Sequence, residues 1–160
     1  MKHLTRKLFA TLVAICLFVP FVQIVHADDD GYYYQSVHVD VEVNDAREYK
    51  ITETLDVYYN EERHGIIRTI PLSSSVENYK IEDISVQGAP ADISTSSYSA
   101  NIKIGDANET VTGLKRYIVS YTLKHYKDYD EDYDYVYLNL LGNEYDTYVE
   151  TFSATITLDS

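Results

Sequence analysis

The chain is 160 residues long and carries 26 acidic against 13 basic side chains, a formal charge of −13, with one cysteine and no tryptophan. So acidic a surface repels phosphates and anionic headgroups, and no nucleic-acid partner is expected. The length suits one domain with a hydrophobic core of its own.

Residues 1–27 stand apart. A basic start, MKHLTRK, leads into the 18-residue apolar run LFATLVAICLFVPFVQIV, and small Val25 and Ala27 precede DDDGYYY at the positions a signal peptidase requires. Pro20 and Gln23 inside the run favour a cleaved signal helix over an uncleaved anchor. Cys16 lies within it, so residues 28–160 hold no cysteine, which excludes thiol catalysis and zinc–thiolate sites there. Without Lys2, Arg6 and Lys7, ten basic residues face 26 acidic ones, a net −16. An exported protein is expected, on the extracellular face of the membrane or in the cell envelope. Its membrane contact would come only through the signal segment or a C-terminal anchor missing from this sequence.

From there the period is two almost everywhere. SVHVDVEV sets Val37, Val39, Val41 and Val43 on one face, with His38, Asp40 and Glu42 on the other. NDAR is a turn, and EYKITETLDVYY returns with Tyr49, Ile51, Leu55 and Val57 inward, giving a hairpin. GIIRTIP is a short strand closed by Pro71, SSSVENY a loop, KIEDISVQG a strand, and GAPAD a turn. SYSANIKIG, LKRYIVSYTLKHY, DYVYLNLLG and TFSATITL complete the set. Tyr117, Val119, Tyr121 and Leu123 share one face of the second of these, and Phe152, Ala154, Ile156 and Leu158 one face of the last. The pattern predicts an all-β fold: a single antiparallel β-sandwich of about eight strands over 28–160, behind the signal helix of 1–27. All 17 tyrosines lie beyond residue 27, many at alternating strand positions, where an apolar ring with one hydroxyl suits a half-buried sheet surface.

Three groups of residues could carry chemistry. Glu53 falls on the apolar face of its strand, between Ile51 and Leu55, and needs a partner there; Arg68, on the next strand, is the first choice for a structural ion pair. Glu61, Glu62, Arg63, His64 and Arg68 are the candidate binding residues, gathered around YYNEERHGIIRTIP. They are also the only local set resembling acid–base equipment, with Gly65 at a position requiring positive φ or close backbone approach. Asp128, Asp130 and Asp132 have the first spacings of a calcium loop. Tyr133 stands where that loop needs glycine, however, and Asn139 where it needs a bidentate glutamate. An acidic, solvated hairpin tip is the expected reading, with at most a weak cation site. His38, His64 and His125 form no metal-ligand spacing, and no cofactor is expected.

The order of these elements is more specific than any one of them. The VHVDVEV…YKITETLDVYY hairpin, HGIIRTIP, YIVSYTL and YVYLNLLGNEYDTYVETFSATITL together resemble the N-terminal extracytoplasmic domain of the bacterial predicted membrane proteins called domain of unknown function 2207. Ile51, Glu53 and Leu55 match the first family element, and His64, Gly65, Ile66, Arg68, Ile70 and Pro71 the second. Tyr117, Val119 and Tyr121 match the third, and Tyr137, Asn139, Gly142 and Tyr145 the fourth. Leu138 and Tyr145 depart from it, standing where the family usually has tryptophan. The resemblance implies an outward-facing domain tethered to a membrane, with no established activity. The first expectation is therefore a non-enzymatic domain binding an envelope or protein partner, with no catalytic residues. The alternatives are an enzyme acting on wall glycan or peptide through Glu53, Glu62 or His64, and an acidic cation-binding module using residues 128–134.

Overall fold

The computed structural model describes residues 31–44, 48–73, 78–125, 138–141 and 144–158. The expected signal segment, the acidic run with Asp128, Asp130 and Asp132, and the matched Tyr137 and Gly142 lie outside these residues. All regular structure described is strand: β1 (Tyr32–Val43), β2 (Glu48–Arg63), β3 (Ile66–Pro71), β4 (Tyr79–Gln87), β5 (Ala91–Thr95), β6 (Ser99–Ile104), β7 (Val111–His125) and β8 (Phe152–Leu158). They form a five-stranded sheet in the order β4-β7-β2-β1-β8 and a three-stranded sheet in the order β3-β6-β5. The fold is a β-sandwich, mostly antiparallel.

The two sheets face each other through the alternating positions. Val37, Val39 and Val41 of β1, Tyr49, Ile51, Leu55, Val57 and Tyr59 of β2, and Tyr117, Val119, Tyr121 and Leu123 of β7 are buried from the large sheet. Ile66 and Ile70 of β3 and Ala100, Ile102 and Ile104 of β6 meet them from the small one. A bulge in β1 shifts the phase: Tyr34 pairs with Val57 and Ser36 with Asp56, leaving Gln35 as the extra residue. That one insertion turns Tyr32 and Tyr34 inward in step with Val37. Without it both rings would face solvent.

Three expectations are corrected. GAPAD is not all turn, because Ala91 and Asp92 already belong to β5, which pairs with β6 from Ala91↔Ile104 to Thr95↔Ala100. Residues 138–141, expected in a strand, are in none; Leu138 and Leu140 pack on the core as part of an irregular segment. Finally, β8 runs parallel to β1, from Val37↔Phe152 to Val43↔Leu158. Residues 147–151 lead into it alongside the start of β1, where Tyr34 donates to the Tyr148 carbonyl and Glu150 donates to that of Tyr34. That extended approach delivers β8 in the same direction as β1.

Candidate functional site

The segment 61–68 is divided by the structure between a surface cleft and a buried pair. At its centre Gly65 has φ +130°, and a Cβ there would overlap the Ile104 carbonyl; Gly105, at φ +138°, would overlap the His64 carbonyl in the same way. Two backbones therefore touch where β2 crosses into β3, and only glycine permits the contact. The crossing sets the neighbours on either side of it on opposite faces: His64 is exposed, Ile66 and Arg68 are buried, and Ile67 is exposed again.

Arg68 points into the core. Its Nε donates to Glu53 Oε2 at 2.6 Å and its Nη2 to Glu53 Oε1 at 2.9 Å, while Tyr121 Oη donates to Glu53 Oε1 at 2.7 Å. Nη1 donates to the Thr69 carbonyl. The guanidinium carbon sits 4.4 Å from the centroid of the Tyr145 ring, and that ring meets Tyr34 edge-on at 5.1 Å. Glu53 is 2 % and Arg68 5 % exposed, so both charges are held by each other rather than by water. Burial alone would lower the Arg68 pKa, but the Glu53 charge and hydrogen bonds outweigh it and the net shift is upward. Burial, then the Glu53 charge, raises Tyr121 well above the ordinary phenol value and keeps it a donor. A bidentate fork between carboxylate and guanidinium is the geometry that best offsets desolvation of both ions. The pair lines a cavity of about 280 Å³ together with Ile51, Ile70 and Leu140.

Arg63 and His64 instead line a cleft of about 520 Å³ on the other side of the crossing. Lys103 of β6, Asp92 of β5 and Asp146 complete its charged rim, and Tyr32, Ile66 and Ile67 give it an apolar wall. The Arg63 guanidinium lies over the Tyr32 ring at 5.0 Å. His64 Nδ1 is 2.9 Å from the Glu109 carbonyl and 3.2 Å from that of Asp106. Carbonyls only accept, so Nδ1 carries the hydrogen, and in the neutral ring Nε2 keeps its lone pair. The Tyr32 hydroxyl is buried beside the Asp146 carboxylate. Burial, and next the nearby Asp146 carboxylate, pushes its pKa upward.

The other candidates do not join either place. Glu61 and Glu62 are exposed at the end of β2, and Glu62 accepts from Thr110 Oγ1 at 3.4 Å. Glu53 and His64 line separate cavities, so they do not converge on one reacting atom. Among the described residues no three His, Cys, Asp or Glu side chains cluster in a way that could hold a metal ion. Lys103, Asp92 and Asp146 were not singled out in the sequence: each is one polar residue on an exposed position, and only the pairing of β3, β6 and β5 brings two of them beside Arg63 and His64.

No curated protein matches the sequence. Among solved structures, an M1 zinc metallopeptidase from Deinococcus radiodurans aligns at 12% identity and a TM-score of 0.39, over 58% of this chain and 20% of that one. A form of it bound to a Tyr-Ser-Ala substrate aligns at 11% and 0.41, over the same shares. The present chain thus spans about a fifth of the structures it matches, and at these scores the likeness carries no functional argument. Residues 33–160 match the family described as the N-terminal domain of a predicted membrane protein, DUF2207.

Proposed function

We propose, from the premise that the chain belongs to the DUF2207 family of predicted membrane proteins, that this domain is the outward-facing, non-enzymatic recognition domain of its protein and binds a protein partner. The binding surface is the cleft between Arg63, His64, Lys103, Asp92 and Asp146. One observation carries this reading: cations and carboxylates from four separate parts of the chain meet around one apolar-walled cleft, while Glu53, the one deeply buried carboxylate among the described residues, is occupied elsewhere by Arg68. Mixed charge around an apolar floor suits a polypeptide, which offers both kinds of contact. The family is one of membrane proteins; among the described residues no helix is long and apolar enough to cross a membrane, and the proposed anchor is a part of the protein outside them.

The test is a photo-reactive residue at exposed Ile67, in the full chain expressed in its own membrane, with Lys50 on the opposite sheet as control. A discrete adduct from position 67, absent from position 50 and lost on Arg63→Glu or Lys103→Glu, is the expected result. Equal labelling from both positions, or an adduct indifferent to both charge reversals, overturns the reading.

A second reading has one observation in its favour. His64 is fixed by two carbonyls with Nε2 available, as in a general base of an enzyme acting on peptide or glycan. Glu62, bonded to Thr110, and Glu53, bonded to Arg68, do not supply it with an acid. Loss of a measurable hydrolysis of wall peptide or glycan in His64→Gln would move the assignment to that class.

A further inference from the structure

Strand β5 borders the cleft proposed above, and its role rests on that reading. All five residues of β5 are exposed, and β5 is the outer strand of the small sheet. Its hydrogen bonds to β6 alternate: Gly105 N donates to the Pro90 carbonyl and Ser96 N to the Ser99 carbonyl. Those two pairs fix the register, so residues 92 and 94 bond to β6, while the backbone N–H and C=O groups of Ala91, Ile93 and Thr95 point away from it. Among the described residues nothing pairs with that outer side.

Edge strands are commonly guarded by charge, proline or a bulge. The β4 edge is guarded in all but proline, with Lys80, Glu82 and Asp83 and a bulge between Glu82 and Ser85. The β5 edge carries only Asp92, and that residue lines the cleft. Across the outer face, Ile67, Lys103 and Asp92 lie in one row, and on the inner face Ile102 pairs with Ile93, which is 39 % exposed. The cleft and the unguarded edge are therefore one continuous surface.

We propose that the partner binds by adding an extended segment to β5 as a fourth strand of the small sheet. That segment places a lysine or arginine beside Asp92 and an apolar residue beside Ile93, because neighbours across a ladder share a face. A basic alternating segment also matches the charge of this chain, net −13. A second copy fits less well: paired about Ile93 it would set Asp92 against Ser94 and bring two acidic chains together.

The probe is a nine-residue peptide alternating valine with lysine and threonine, compared at millimolar concentration with one in which glutamate replaces lysine. Residue-resolved amide exchange of the full chain is the readout. The expected result is at least about tenfold slower exchange at Ala91, Ile93 and Thr95 with the lysine peptide and little change with the glutamate peptide. Ile93→Pro removes an outward N–H but no bond to β6. It is expected to abolish that protection while the melting temperature stays within a few degrees of the parent. Absence of protection at β5, protection at β8 instead, or protection that rises with protein concentration in the absence of peptide overturns the proposal, the last by naming a second copy as the occupant. An Ile67 adduct that keeps its dependence on Arg63 and Lys103 but survives Ile93→Pro rejects strand addition and leaves the cleft reading standing. An adduct indifferent to those charges rejects the cleft reading itself.

Discussion

Replacing Arg68 by alanine should cost the domain a large part of its stability. The substitution leaves the Glu53 carboxylate, 2 % exposed, with Tyr121 Oη as its remaining donor among the described residues. Removing one member of a buried ion pair typically costs about 3–5 kcal/mol, chiefly because the other charge stays buried and unpaired. For a folded unit of this size that corresponds to a fall in melting temperature of roughly 10–20 °C. Urea unfolding followed by circular dichroism measures it, with an unchanged slope showing that the denatured state is the same. The double variant Glu53→Leu with Arg68→Met is a sharper test of the pair. With both charges gone nothing is left to desolvate, and the loss should shrink to about 1–2 kcal/mol or reverse sign, giving a coupling of more than about 2 kcal/mol between the sites. An Arg68→Ala loss below about 1 kcal/mol, or a double variant as unstable as the sum of the singles, would refute the account of the pair.

Tyr34→Phe removes a hydroxyl that is buried without a partner among the described residues and keeps the ring, so thermal melts should show stabilisation on the order of 1 kcal/mol. Gly65→Ala drives a Cβ into the Ile104 carbonyl at φ +130°, and a loss above about 3 kcal/mol is expected in urea unfolding. Hydrogen bonds from Arg116 hold the Asp56 carboxyl below its ordinary pKa, with Ser36 contributing less. A depressed carboxylate stabilises the fold above its unfolded value, about 3.9, and loses that contribution as pH falls through the folded one. Arg116→Gln should therefore lower the urea midpoint at pH 7 only slightly, since Arg116 is 65 % exposed and its pair is screened by solvent, and should make no difference near pH 2.

Much of the sandwich was legible because its core strands are buried on one face only. Val37, Val39 and Val41, or Tyr49, Ile51, Leu55 and Val57, announce both strand and inward face. Glu53 was conspicuous for the same reason, as a charge in an apolar register. β5 gave no such signal, because a strand exposed on both faces has no alternation to read, and Pro90 with Gly88 resembles a turn. The direction of β8 was equally silent, since period two is the same for parallel and antiparallel neighbours. The bulge at Gln35, the anchoring of His64 by carbonyls 42 and 45 residues away, and the arrival of Lys103 and Asp92 at the cleft all depend on long-range register. Local pattern records none of that.

In the proposed division of roles the cleft recognises the partner and the buried pair holds the fold. Photo-crosslinking from Ile67 in three backgrounds separates them: the Glu53→Leu, Arg68→Met double variant, Arg63→Glu, and Lys103→Glu. The double variant, once folded, is expected to keep the partner adduct, and each reversal in the cleft to lose it. Loss of the adduct in the double variant with retention in both reversals would contradict that division.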